Sequence, residues 1–396
     1  MRIVFCYITP FHPHKGGIGC ATDAITRELQ RRGHKVFYLI YPSGMTIRHE
    51  YDYPAPLEYL PSGDLLSREN IEYYFEFLRR NRIDVVVNQS GNFDDSRLWL
   101  KCKEIGKPVV SVLHTYPSNA YKYIWQLKVE PLRDTSFKER LKRLARMILY
   151  PRIKRQSLSS IKREFERMVP QTDLICALSR NSFKELDALC PGYASKFRFI
   201  PNPNPYDDVI PKRKKKQLLF VALFGNVKRE DWMARIWAKI ANEYPDWKLV
   251  IVGYGSEGRV NRLKQILKGV SNVEMVGYAE SRPYQEESSI ICLTSISEGW
   301  PMVLIEGMQC GCVPVAYNSF ASASDIVTPG VSGELVTPFE EKQYVGKLRR
   351  LIEDDAYRKR LSDNAVDSVR RFEVSNIADQ WENLFKELVQ TDENAN

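Results

Sequence analysis

Glu298 and Glu306 stand eight positions apart in the stretch Ser297-Glu298-Gly299-Trp300-Pro301-Met302-Val303-Leu304-Ile305-Glu306, where chemistry is most legible. An apolar strand ends at Thr294-Ser295, a turn carries Glu298-Gly299, and Pro301 suits the opening of an otherwise apolar helix. Eight positions are a little over two turns, so the spacing predicts both carboxylates on nearly one helix face. A carboxylate inside an apolar helix is costly without a hydrogen-bonding partner, and sugar hydroxyls are good donors to it. Free amides from Gly299 to Val303 at the helix start favour an anion. The same residues also admit a structural role, with Glu298 capping the helix and Glu306 held in an internal salt bridge.

Two glycine turns are further candidates. Lys15-Gly16-Gly17 follows the first strand, where missing Cβ atoms let backbone approach a ligand and the helix start favours anions. A tight turn with no ligand explains those glycines equally well. Gly253-Tyr254-Gly255-Ser256-Glu257-Gly258 is a formal G-x-G-x-x-G with Glu280 about twenty residues on, the pattern of an NAD site. It opens the second strand of its domain, whereas a dinucleotide fingerprint belongs to the first, so that reading is set aside. Five histidines without helical i, i+4 spacing, and the lack of G-x-S-x-G and G-K-[ST] motifs, point away from metalloproteases, common hydrolases and P-loop NTPases.

Elements must position these residues, and their pattern is strand, turn, helix, strand throughout. Short continuous apolar runs (Ile3–Thr9, Val36–Ile40, Asp84–Asn88, Pro108–Leu113, Asp173–Ala177, Phe197–Ile200) alternate with helical stretches, as in a parallel, doubly covered sheet. Pro201, Pro203, Pro205 and Pro211 with Lys212-Arg213-Lys214-Lys215-Lys216 form a stiff connector. A second series follows, with strands at Leu218–Leu223, Lys248–Val252, Val273–Val276, Ser289–Leu293, Val313–Tyr317 and Gly333–Val336. The predicted organisation is an N-terminal Rossmann-like domain over 1–203 with a basic helical insertion at 119–170, and a linker at 204–216. A second Rossmann-like domain spans 217–372. A helix at 373–390 packs back on the first domain, and 391–396 is a polar tail.

The chain has 396 residues, 43% hydrophobic and 27% charged, and a formal charge of +9. Fourteen basic and five acidic side chains lie between Asn119 and Pro170, so that segment alone equals the net excess. Its bland reading is a solvated helical face. Its sharper one is a membrane-surface patch, with Leu141, Leu144, Ile148 and Leu149 beside Lys142, Arg143 and Arg146. No nucleic-acid module accompanies the charge. Eight scattered cysteines without zinc spacing, a first stretch lacking a cleavage site and no long apolar run predict a reduced, cytoplasmic chain without a membrane span.

These motifs resemble glycosyltransferase family 4, retaining enzymes of the two-domain GT-B fold, in which two Rossmann-like parallel-sheet domains face a cleft. The resemblance rests on Gly16-Gly17 with Arg32-Gly33-His34-Lys35-Val36, on Val112-Leu113-His114 and Ile200-Pro201-Asn202, and above all on Glu298-x7-Glu306 within SEGWPMVLIEGMQCGCVPV. It covers nearly the whole chain and weakens over 119–170. It implies that Glu306 binds the ribose of a donor nucleotide, that Glu298 contacts the transferred sugar and that amides of Gly299, Met302 and Val303 hold the diphosphate. It further implies that His114 lies beside the reacting sugar carbon, that Gly16 and Gly17 close over the donor, that Lys228 binds phosphate and that Tyr278 lies near the base. Where the family carries Gly-Arg, this chain has Ala222-Leu223. Arg229 is then the expected substitute, and a weakened or inactive nucleotide-sugar-binding relative is the alternative. The implied reaction moves a sugar from a nucleotide diphosphate sugar, UDP favoured over GDP, to a hydroxyl acceptor. It proceeds with retention, without metal or other cofactor, on a lipid-linked or polysaccharide acceptor of surface-polysaccharide assembly at the inner face of the cell membrane.

Overall fold

The computed structural model describes residues 1–13, 16–41, 51–129, 137–206, 209 and 211–393. Lys15 of the first glycine turn and positions 207, 208 and 210 of the connector lie outside the described residues. The chain divides into two compact units. One comprises Met1–Pro117, Leu158–Pro205 and Phe372–Asn396, the other Ser118–Ser157 and Tyr206–Arg371.

The first unit is built on β1 (Arg2–Tyr7), β2 (Lys35–Ile40), β3 (Leu57–Tyr59), β4 (Val85–Asn88), β5 (Val109–Leu113), β6 (Leu174–Ala177) and β7 (Phe197–Phe199). They pair in the order β3-β2-β1-β4-β5-β6-β7, parallel throughout. Strands β4, β5 and β6 are buried along their whole length, which requires cover on both faces and accounts for their richness in Val, Ile and Leu. The three-residue edge strand β3 was not expected, because Leu-Glu-Tyr carries no apolar run and is only half-buried.

The second unit contains β8 (Lys215–Leu223), β9 (Lys248–Tyr254), β10 (Val273–Gly277), β11 (Ser288–Leu293), β12 (Val313–Tyr317) and β13 (Glu334–Val336), again all parallel, in the order β10-β9-β8-β11-β12-β13. Its core gathers Phe220, Trp237, Leu249, Tyr317 and Tyr344. The lysine run contributes the start of β8, its backbone in the sheet and the Lys215 and Lys216 side chains exposed.

Each order reverses once, between β1 and β4 in the first unit and between β8 and β11 in the second. In open parallel sheets the crevice for a ligand opens there, beyond the carboxyl ends of the strands.

The basic insertion needs correction. It is not one appendage of the first unit, because Ser118–Ser157 groups with the second. The cause is packing: Tyr123 and Leu127 lie against the second unit's core, and the Tyr123 ring meets Phe339 edge-on at 5.0 Å. The insertion holds a helix at Phe137–Ile148, and a second, Tyr150–Met168, whose buried residues Ile161, Phe165 and Met168 fall in the first unit. The last helix, Val374–Glu393, also lies in the first unit. Arg32 holds it by bonds to Asp379 (2.5 Å) and Glu382 (3.0 Å), and His34 Nε2 lies 2.7 Å from Glu382.

Candidate functional site

In the second unit, β8 turns through Phe224-Gly225-Asn226-Val227 to Lys228, and neighbouring β11 turns through Thr294 to Pro301 into the helix Met302–Gln309. Backbone and hydroxyl bonds stitch the two turns together. The Ile296 amide donates to the Val227 carbonyl (2.8 Å), and the Thr294 hydroxyl lies 3.0 and 2.9 Å from the carbonyls of Lys228 and Arg229. So held, Lys228 Nζ donates to Glu298 Oε1 at 2.5 Å. The two side chains are 28% and 11% exposed, so the pair is neither sealed in nor free in water and its charges remain open to a ligand.

Glu298 is not on the helix. Pro301 fixes the helix start at Met302, and a residue before proline is pushed to extended backbone, so Glu298 belongs to the preceding turn. Glu306 is on the helix. Burial pushes its carboxyl up to about 7, opposed by the Gln285 amide that donates to Oε2 at 3.2 Å. The helix lies tight on β11, since a Cβ at Gly307 would stand 2.7 Å from Ile291 Cδ1. Met302 and Val303 are its first residues, and helix-opening amides have no carbonyl four residues back within the helix. Gly299 lies in the turn just before them.

Arg229 is not the substitute phosphate ligand expected. It adopts a left-handed conformation (φ 52°) at the start of the helix Glu230–Ile240. Its guanidinium is buried, bonds Asp231 at 2.9 Å and lies over the Trp232 ring at 3.7 Å. Asp231 also receives Arg235 (2.5 Å) and approaches Arg262 (3.9 Å). Sequence reading missed Arg259, which bonds Glu230 at 2.7 Å and also Asn226, while Glu230 accepts from the Gly225 amide at 3.0 Å. Arg259 thereby braces the turn that presents Lys228.

Tyr278 follows Gly277 (φ 83°) and is 70% exposed, edge-on to Tyr254 at 5.3 Å. The first two G-x-G-x-x-G glycines serve packing: a side chain at Gly253 would strike the Ala222 carbonyl, and one at Gly255 would stand 2.6 Å from Phe224 Cβ, while Gly258 has open space around it. A depression of about 480 Å³ at the opposite, amino end of this sheet is lined by charges that pair among themselves, as in Lys215–Glu287 (2.6 Å) and Lys216–Asp246 (2.9 Å).

In the first unit, Gly16 (φ 89°, ψ 161°) precedes the helix Gly17–Arg31, in a region that only glycine occupies readily. Nearby Gly19, not singled out from the sequence, is where a side chain would strike the His12 backbone. His114 follows β5, next but one to β1 in the sheet. Its Nε2 bonds Gln89 Oε1, and Gln89 Nε2 donates to Thr22 Oγ1 at 3.2 Å. Burial pushes the imidazole down to about 3, so it is neutral at ordinary pH. Nδ1 is buried with no hydrogen-bond partner among the described residues. A cavity of about 20 Å³, lined by His114, Gln89, Thr22, Phe5 and Trp381 among others, adjoins the group. Gln89 was missed too, although Asn88-Gln89-Ser90, three polar residues closing an apolar strand beside the reversal, is a signal for it.

Two family models match, "Glycosyltransferase Family 4" over residues 15–204 and "Glycosyl transferases group 1" over 206–367. An uncharacterized glycosyltransferase of Haemophilus influenzae is 30% identical over 194 residues, covering 47% of this chain and 54% of that protein. An alpha-1,4-N-acetyl-D-galactosaminyltransferase of Campylobacter jejuni, named for a PP-undecaprenol-linked saccharide, is 26% identical over 202 residues, covering 50% and 56%. This chain thus spans about half the length of these relatives. Anabaena HepE, solved with UDP and glucose, superposes with a TM-score of 0.72 over 98% of this chain and 100% of its own, at 17% identity, which speaks to the fold alone. With two Rossmann-like units, the GT-B architecture and two models that together leave only the ends and one joining residue unmatched, the chain belongs to glycosyltransferase family 4.

Proposed function

We propose that the chain transfers a sugar from a nucleotide diphosphate sugar to a hydroxyl acceptor, with retention at the anomeric carbon and without a metal. The observation that carries this reading is the half-open Lys228–Glu298 pair at the reversal of the second sheet, with the half-buried carboxyl of Glu306 on the adjoining helix. In this reading Glu306 accepts from ribose hydroxyls and Glu298 from the transferred sugar. Lys228 and the amides of Gly299, Met302 and Val303 offset charge on the departing nucleoside diphosphate. Tyr278 offers the base a ring, Gly16 and Gly17 offer the donor bare backbone, and His114 stands at the sugar. UDP is the donor nucleotide proposed first and GDP the second. The test is thermal stabilisation of the full chain by UDP, GDP, ADP and their sugar conjugates, followed by release of nucleoside diphosphate in the presence of EDTA. A ligand at about a hundred times its Kd stabilises by about 2.7 kcal/mol, a readable shift. No shift with any of them, or release abolished by EDTA, defeats the corresponding part of the proposal.

A second reading, a weakened or inactive relative, is favoured by one observation. The arginine expected to replace the absent phosphate ligand is buried against Asp231. Nucleotide binding without any transfer or hydrolysis would establish that reading.

The acceptor we propose is lipid-linked, met at an anionic bilayer on the cytoplasmic side. On the helix Phe137–Ile148, Leu141, Leu144 and Ile148 fall at i, i+3 and i+7, and they are 51%, 54% and 73% exposed. An amphipathic helix whose apolar row faces outward, with Lys142 and Arg146 alongside, suits the plane of such a surface. Among the described residues no helix is long and apolar enough to cross a membrane. Co-sedimentation with vesicles of phosphatidylglycerol, lost in Leu144→Glu and in neutral phosphatidylcholine, is the expected result. Equal sedimentation with both lipids would exclude it.

A further inference from the structure

His114 is held by neighbours that carry no charge. Gln89, only 4% exposed, reaches it from the end of β4, and Thr22, 3% exposed, orients the Gln89 amide from the helix Gly17–Arg31. With the Gln89 amide nitrogen donating to Thr22, its oxygen is left to face His114, and an oxygen there requires a hydrogen on Nε2. Nδ1, which has no partner among the described residues, then keeps a bare lone pair. Resting on the role proposed above for His114, we infer that Gln89 is a positioning residue that locks His114 as the neutral Nε2–H tautomer, so that no cation faces the sugar carbon as it gains positive character. Glycosyl transfer passes through an oxocarbenium-like state, and an imidazolium beside that carbon would oppose it. Gln89 acts through the ring and does not touch the sugar.

The test uses the full chain labelled with ¹⁵N-histidine, the His114 signals assigned by their loss in His114→Asn. The Nε2–H pattern is expected in the wild type. Gln89→Leu should mix the two tautomers and lower kcat about 100-fold, the scale of a displaced catalytic group, while the Kd for the nucleoside diphosphate stays unchanged. Gln89→Glu keeps an acceptor at Nε2 but adds charge. It should hold the Nε2–H while promoting imidazolium, and kcat should fall again. Should Gln89→Leu fail to fold, Thr22→Val removes only the bond that orients the amide and should give a partial version of both changes. An Nδ1–H pattern in the wild type overturns the inference, as does an unaltered spectrum or unaltered kcat in Gln89→Leu. An Nε2–H spectrum in a protein that neither binds nucleotides nor transfers sugar would instead count against the glycosyltransferase reading.

Discussion

The carboxyl ends of the two sheets are furnished in opposite ways. In the second unit the reversal between β8 and β11 is lined with charge: Lys228 on Glu298, Arg259 on Glu230, three arginines around Asp231, and Glu306 behind them. In the first unit the group around His114 carries no charge, Gln89 and Thr22 holding a neutral imidazole, while Asp95 at the same end of the sheet bonds Ser90. A diphosphate needs fixed positive charge, and fixed charges need countercharges to be held in place. A group facing a developing cation is better left neutral. The contrast divides the labour proposed above between anion and sugar.

The largest test of that contrast is Asp231→Ala. It strands Arg229, which is 3% exposed, together with Arg235 and Arg262, and an uncompensated buried charge costs about 3–5 kcal/mol. Urea unfolding reads the loss. Next comes Lys228→Ala, which leaves folding largely intact. It should slow sugar release by about 10²–10³-fold, as removal of one preorganised electrostatic donor does. An unchanged rate would remove Lys228 from the anion's surroundings.

Glu306→Ala should weaken nucleotide binding by about 1.5–3 kcal/mol, the contribution of a charged hydrogen bond, as read by calorimetry. The same carboxyl sets a pH dependence. It titrates near 7 when folded, against about 4.3 in an unfolded chain, so the folded state holds its proton longer. The associated stability is therefore complete below about pH 4.3 and is lost as pH rises through about 7. Nucleotide affinity should move the other way, improving as Glu306 ionises through about pH 7. Glu306→Gln flattens both trends, and a wild-type affinity independent of pH between about 5 and 8 would show that Glu306 accepts no ligand hydroxyl. The smallest effect belongs to the neutral side. Gly16→Ala meets no protein atom within 4 Å, so its cost in stability is backbone strain alone, about 1 kcal/mol, visible as a slight fall in Tm.

What the sequence made legible follows the same division. Strands such as Val85–Asn88 and Val313–Tyr317 were readable because full burial leaves an unbroken apolar run. Glu298 and Glu306 stood out because charge beside an apolar run demands a reason, whereas Lys228 came only from the resemblance to the family. Gln89 did not, since an amide at a strand end looks like any polar turn residue until its partner across the sheet is known. Arg229 was misjudged for a related reason. Adjacency to Lys228 in sequence says nothing about direction, and a left-handed residue opening a helix sends its side chain inward to Asp231. The insertion deceived through its position in the chain, because Tyr123 and Leu127, not the neighbouring strand, decide which unit it joins.

One consequence follows from the bonds joining the turns after β8 and β11. Because the Ile296 amide and the Thr294 hydroxyl tie Glu298's turn to the backbone of Val227, Lys228 and Arg229, neither turn is ordered at the ligand's expense. An anion bound there, as proposed above, would meet a preorganised cradle, so little conformational entropy would be lost on binding. Its association with this unit should be a single fast phase whose rate falls steeply with added salt.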